Sequence, residues 1–322
     1  MRISSLAACV LAAAMIAPVA AQETYPTKPV RIVVGFPASG MSDNLARVLA
    51  VALGRQMGQQ FIIDNKPGAG TTIAADNVAK SAPDGYSLFM QDLTSHAINA
   101  SLYRKLPYDS VKDFTPITLV ASTPLVMVVH PSSNINSVQE LVARAKAKPG
   151  ELTYGSSGIG TILHLAGELF KQRAGIDLIH VPYKGATGAT MGMLGGELTV
   201  SFATMPTAVP LVRSGKVKAL AVTMSQRAAA LPDVPTMQEA GIADYDIVLH
   251  NGILAPAGLP VALQARLRDE ILKAMQAPES RKFYSDNSAD PVTSTPEEMA
   301  AHMSAQIKSL AQAVQASGAR AD

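Results

Sequence analysis

Val30-Arg31-Ile32-Val33-Val34-Gly35-Phe36-Pro37-Ala38-Ser39-Gly40-Met41-Ser42-Asp43 contains the unit from which the chain is built. Val30 to Phe36 is an apolar run rich in β-branched residues and reads as a buried strand. Pro37 to Gly40 is a loop of small residues. Ser42 or Asp43 can then cap a helix that runs to about Gly54. Leu45, Val48, Leu49, Ala52 and Leu53 fall at i, i+3, i+4, i+7 and i+8, so they share one face of that helix.

The unit recurs in both directions from there. Phe61 to Asp64 reads as a strand, Lys66 to Gly70 as a turn, and Thr71 or Thr72 opens a helix to about Lys80. Ala82-Pro83-Asp84-Gly85 breaks the chain before a strand at Tyr86 to Gln91, and Leu125 to His130 is a further strand ended by Pro131. A second set follows Pro149-Gly150: strand Leu152 to Gly155, loop Ser156 to Thr161, and a helix to about Gln172. Strands are expected at Leu178 to Val181, Leu198 to Ala203 and Val217 to Thr223, with Leu231 to Pro235 as a linker. The last stretch is mainly helical, with Leu263, Leu267 and Ile271 on one face. Alternation of this kind argues for α/β layers with largely parallel sheets.

The N-terminus has the form of a secretory signal. Arg2 precedes an apolar stretch from Ile3 to about Ala17, and Val19-Ala20-Ala21 offers small residues for cleavage before Gln22. The stretch is short for a membrane span. The one cysteine, Cys9, lies inside it, so the exported chain would carry no thiol. Export places the protein in the periplasm. About 300 residues then remain of 322, more than one core usually holds, so two lobes are expected. Hydrophobic residues make up 48% and charged residues 16%, which excludes a disordered chain. The formal charge is +2 with no basic stripe, which argues against a nucleic-acid partner.

The chemistry lies in the loops between strand and helix. Small residues let the backbone approach a ligand, and a helix N-terminus exposes unpaired N–H groups with partial positive charge. Together these form an anion site without a cationic side chain. Ala38 to Asp43, Gly68 to Thr72 and Ser156 to Thr161 offer it, at the carboxyl ends of strands where open α/β sheets bind ligands. No nucleotide motif is completed: Ile73 and Leu163 stand where dinucleotide fingerprints need a third glycine. Ile159 spoils a nucleophile elbow at Gly155-Ser156-Ser157-Gly158, and no HExxH or cysteine-based metal spacing occurs. No cofactor and no metal is expected. His96 and His250, near loops, are candidate ligand contacts. His164 and Glu168 share a helix face as a hydrogen-bonded pair.

Tyr25-Pro26-Thr27-Lys28-Pro29-Val30-Arg31, Asn65-Lys66-Pro67-Gly68-Ala69-Gly70, Ala82-Pro83-Asp84-Gly85-Tyr86, Leu106-Pro107-Tyr108-Asp109, His164 to Phe170, Val181-Pro182-Tyr183-Lys184-Gly185 and Ala255-Pro256-Ala257-Gly258 together resemble the Bug family. Its members are solute-binding proteins of tripartite tricarboxylate transporters, and the likeness covers nearly the whole exported chain. The resemblance implies an α/β, two-domain periplasmic binding protein, type II-like, with two crossing hinge strands. The crossings are placed near residues 121–125 and 221–225. Domain 1 is then discontinuous, residues 22–122 and 224–322, domain 2 is 123–223, and the signal is 1–21.

It also implies a monomeric, non-enzymatic receptor that holds a ligand carboxylate between its domains by backbone amides and ordered water, and hands it to membrane permease subunits. The implied contacts are Ala38, Ser39, Gly40, Ser42 and Asp43; Gly70 and Thr71; Thr94, Ser95 and His96; Ser156, Ser157, Gly158 and Thr161; Ala203 and Thr204; and His250.

Two departures bear on the ligand. Relatives that bind amino acids carry an Asp after the strand at Leu198 to Phe202, where this chain has Ala203 and Thr204. A buried ammonium without a counter-charge is costly, so a dicarboxylate or an aromatic carboxylate is expected. His250-Asn251 replaces an aromatic pair and makes that wall more polar. A receptor for a membrane sensor kinase and a secreted hydrolase are the alternatives. If amides do the holding, Ser39→Pro and Ser157→Pro should cost more affinity than the alanine changes.

Overall fold

The computed structural model describes residues 25–317, so the proposed signal and Cys9 lie outside the described residues. In chain order the elements are β1 (Val30–Val34), α1 (Met41–Met57), β2 (Phe61–Asn65), α2 (Thr72–Ala79), β3 (Ser87–Asp92), α3 (Leu93–Leu102), β4 (Phe114–Val129), α4 (Val138–Ala147), β5 (Thr153–Ser156), α5 (Ile162–Ala174), β6 (Ile179–Pro182), α6 (Ala186–Leu194), β7 (Val200–Thr204), α7 (Met205–Arg213), β8 (Lys218–Val222), β9 (Val248–Pro256), α8 (Val261–Met275), α9 (Pro278–Asp286) and α10 (Pro296–Ser317).

The strands run β2-β1-β3-β9-β4-β7-β5-β6, with β8 also on β4. The sheet is mixed, not largely parallel. The pairs β1–β2, β1–β3, β5–β6 and β5–β7 are parallel, and every pair made by β4 and β9 is antiparallel. Sequence periodicity reports burial, not strand direction, and the two antiparallel strands sit between the parallel sets.

β4 joins the halves. Phe114 to Pro124 pairs with β9, and Leu125 to Val129 pairs with β7 and β8. Its first half escapes sequence reading because Pro116 and Pro124 interrupt it and the register slips twice, between Pro116 and Thr118 and between Leu119 and Ala121. The chain returns in β9, where Val248 pairs with Pro124. Residues 224–247 stay with the second half. Val222 N–H donates to Pro235 O, Met237 N–H to Val222 O, and the Tyr245 hydroxyl to Ala166 O.

In the first half β1 is wholly buried apart from Arg31, and α1 lies on it through Leu45, Leu49 and Leu53, the face expected. α8 adds Leu267 and Ile271. α3 and α6 show little amphipathic period, and α7 is masked in the sequence by its prolines, each for a physical reason. α3 is buried almost all round, its polar residues included. α6 carries Gly188 and Gly192 against the Tyr183 ring, and α7 contains Pro206 and Pro210.

Candidate ligand-binding site

Five helices follow strands that end at one cleft between the halves: α1 after β1, α3 after β3, α5 after β5, α6 after β6 and α7 after β7. The cleft is lined by Phe36, Pro37, Gly40, Met41, Ser42, Asp92, Ser157, Ile162, Leu163, Ala186, Thr187, Thr204 and Leu249. About 400 Å³ of space not filled by atoms lies among them, mouth included.

Four of the helices reach the cleft uncapped. The N-cap residues Gly40 of α1, Thr161 of α5, Gly185 of α6 and Thr204 of α7 make no side-chain cap hydrogen bond. The fifth, α3, is capped by Asp92, as α4 away from the cleft is by Ser137. The N–H groups left free at these helix starts, with their dipole ends, therefore converge on one space, although at α5 the first of them, Ile162 N–H, is taken by Ser95 Oγ. No Lys, Arg or His is among the described residues that line it. Ser157 is 7% exposed, and its hydroxyl has no hydrogen-bond partner. Such an assembly can hold an anion by main-chain donors.

The two halves touch beside this space. Ile162 N–H donates to Ser95 Oγ at 3.0 Å, and the Ser95 hydroxyl donates to Asp92. Within the first half, Asn99 Nδ2 donates to Gly70 O at 2.6 Å and holds that turn against the second half. A Cβ on Gly70 would lie 2.7 Å from Ile159 O, and one on Gly160 would lie 2.6 Å from Asn99 Oδ1. Asp92, Ser95, Asn99 and Leu102 thus form one stripe of α3 that meets the start of α5. Asp92 is fully buried, and burial raises its carboxyl to about 6 despite the bonds it accepts from Ser95 and from Thr94 N–H.

Gly40, Ser42, Ser157 and Thr204 are the implied contacts that line the cleft. Ser42 Oγ also accepts from Asn251 Nδ2 at 2.7 Å. Thr161 stands at the N-cap position of α5 next to it, with its hydroxyl turned back to donate to Gly158 O at 2.8 Å. Gly70 and Ser95 stand at the contact between the halves. Thr71 Oγ1 accepts from Gln91 Nε2 and Thr94 Oγ1 donates to Val248 O, both within the first half. Ala203 pairs with Val126 inside the second.

Three groups face elsewhere. Asp43 is engaged by Arg47, Asn65 and the Ser39 N–H. Ala38 and Ser39 are exposed, and Ser39 has φ 74°. Its amide being taken and its φ being unavailable to proline, Ser39→Pro breaks the turn and does not report on ligand binding. His250 meets Gln306 and His302 on α10. The resemblance puts the strand-end segment Asp92 to His96 near the cleft; the lining residues that sequence reading misses are Phe36, Pro37, Ile162, Leu163, Ala186, Thr187 and Leu249. A signal for Asp92 exists in Asp92-Leu93-Thr94-Ser95, an N-cap pattern, but nothing local announces its burial.

His96 lies in the first half's core, with Nε2 on Ser110 O at 2.8 Å and its ring on Tyr108 and Phe114. Burial pushes it down to about 4. A histidine lowered in the native state binds its proton more tightly once unfolded, so stability is full above about pH 6.5 and is lost as pH falls toward 4. At pH 5 the loss from this residue is about 2 kcal/mol. The expected result is a melting midpoint a few degrees lower at pH 5 than at pH 7. Because Asp92 and His180 also respond over this range, the comparison is with His96→Gln, and an equal drop in that variant would show that His96 is not its source.

Ser156 Oγ and His180 Nε2 are 2.7 Å apart, and His180 stacks between Tyr154 and His164. Burial, with His164 and Lys171, lowers His180 to about 3, which makes it a poor base. Glu168, expected opposite His164, instead accepts the Tyr154 hydroxyl at 2.6 Å and pairs with Lys171.

The profile described as "Tripartite tricarboxylate transporter family receptor" matches residues 45–318. BugT of Bordetella pertussis is 35% identical over 309 residues, 96% of this chain and 94% of that protein. An R. palustris protein solved with adipate is 33% identical with a TM-score of 0.88, over 91% of this chain and 98% of the other. MatC from Rhodopseudomonas palustris, with bound malate, is 28% identical with a TM-score of 0.84, over 90% and 100%.

Proposed function

The chain belongs to the tripartite tricarboxylate transporter receptor family, as a Bug-type periplasmic solute-binding receptor, and from that premise we propose that its ligand is a small dicarboxylate or aromatic carboxylate. The observation that carries the reading is the convergence of four uncapped helix starts on one cleft without a cation. Main-chain donors suit a carboxylate, and Thr204 leaves no acid at the start of α7 for an ammonium. The adipate and malate held by the two R. palustris proteins agree with that class.

The mode of action is closure of two lobes on the ligand. We divide the chain at Pro124/Leu125 in β4, where β9 gives way to β7, and at Ile247/Val248. The second lobe is then 125–247, and the first is the rest of the described chain. The closed receptor, exported by its N-terminal signal and monomeric, delivers its ligand to membrane permease subunits. A sensor kinase is the alternative recipient, separable by pull-down of membrane partners. For the hydrolase alternative, Ser156 and His180 are the pair to test: turnover lost in Ser156→Ala would favour it, and a parent protein without turnover on an ester panel would remove it.

A panel of mono-, di- and tricarboxylates is expected to raise the melting midpoint, because a ligand that binds only the native state stabilises it. Ser157→Ala should weaken the best binder about tenfold in calorimetry, the effect of one lost hydrogen bond to a charged group. A panel without any shift, alongside stabilisation by neutral solutes, would sink the carboxylate reading.

A further inference from the structure

Of the described residues that line the cleft, Asp92 alone titrates. It is fully buried at the start of α3, and each element packed on it offers only neutral groups. α3 supplies Thr94 N–H, Ser95 N–H and the Ser95 hydroxyl. β9 places Asn251 opposite it. α5 approaches through Ile162 N–H, which Ser95 Oγ accepts. α1 contributes Ser42, whose hydroxyl is bonded to Asn251.

The titratable groups on those elements point away. On α1, Asp43 and Arg47 bind each other. On α3, His96 binds Ser110 O. On α5, His164 meets Gly160 N–H, while Glu168 holds Tyr154 and Lys171. On β9, His250 meets Gln306 and His302 of α10, the helix packed along α3, and so His302 is turned to His250.

Asp92 is therefore a resident anion among the helix ends that would receive the ligand. A ligand carboxylate brings a second negative charge into the same dry space. Two such charges side by side are unfavourable unless one is neutralised, and no side chain here can do that. The remaining counter-charge is a proton from solvent. Burial has already raised this carboxyl to about 6, so the step to the neutral acid is short.

We propose that capture of an anionic ligand is coupled to uptake of one proton on Asp92, which then serves as a hydrogen-bond donor inside the cleft. The proposal rests on the carboxylate reading of the site. It predicts that the receptor binds more tightly in mildly acidic surroundings.

Calorimetry with adipate at pH 7, in PIPES and in Tris, tests it. The measured enthalpy should change with the ionisation enthalpy of the buffer, corresponding to uptake of close to one proton. Affinity should fall about tenfold from pH 7 to pH 8. Asp92→Asn keeps an oxygen for Thr94 and Ser95 N–H, so the cap survives. In this variant the buffer dependence should vanish and affinity should be flat with pH. Adipate binding without buffer dependence would overturn the proposal and leave the carboxylate reading standing. Equal uptake in Asp92→Asn would also overturn it, since the proton would then go elsewhere. If neither adipate, malate nor the wider carboxylate panel binds, both fall together.

Discussion

Thr204→Asp is expected to reduce carboxylate binding by roughly 200-fold. Thr204 is 6% exposed, lines the cleft and is the N-cap of α7. Aspartate is as good an N-cap as threonine, so the variant should fold, with a melting midpoint lowered only by the repulsion between its charge and Asp92. Its charge would nevertheless lie at the helix ends that receive the ligand. Two like charges about 5 Å apart at an effective dielectric of about 20 repel by about 3 kcal/mol, which is the stated factor. Thr204→Asn, neutral and of equal size to the aspartate, should retain most of the affinity. The aspartate variant should also shift preference from malate toward aspartate, whose ammonium gains a partner. Calorimetry with both ligands reads all of this, and malate affinity within tenfold of the parent would contradict the placement of the anion.

The second large effect is expected at Gly160. Its φ is 80°, and a Cβ there would lie 2.6 Å from both Asn99 Oδ1 and Leu102 Cδ2 on the opposite lobe. Gly160→Ala should therefore hold the lobes apart and lower affinity about 100-fold, the loss expected when a closed state about 3 kcal/mol less favourable must be reached. A positive φ penalises alanine by roughly 1–2 kcal/mol wherever it sits, so a matched control is needed. Gly175 provides it, with φ 60° and nothing within 4 Å of its added Cβ. Gly175→Ala should lose similar stability and bind normally. Small-angle scattering should show the parent contracting on adding ligand and Gly160→Ala failing to contract. Equal binding by the two variants would remove closure from the mechanism.

Much of the architecture is legible locally. β1 is an apolar run apart from Arg31, β2, β3, β7 and β8 carry short apolar stretches, and α1 and α8 carry periodic faces. β9 and the first half of β4 are not legible, because prolines and bulges interrupt one and neither alternates. The loops ahead of α1 and α5 betray themselves by small residues before a periodic helix. Those ahead of α6 and α7 do not, since Gly188, Gly192, Pro206 and Pro210 hide the helices themselves. That all these starts meet is a property of strand order, formed by pairings far apart in sequence. Asp92 belongs to the same class. Its N-cap pattern is local, but its burial depends on β9 and α5, about 160 and 70 residues onward.

The uncapped helix starts also have a consequence for how such a receptor can change over generations. The groups offered to the carboxylate are part of the main chain, which every residue except proline supplies alike. On the proposed binding mode, a neutral substitution at most lining positions would therefore leave the main-chain part of the grip in place and alter chiefly what fits around the remainder of the molecule. A lineage built on this cleft can explore new nutrients one side chain at a time, without passing through a form that has lost its hold on the acid group.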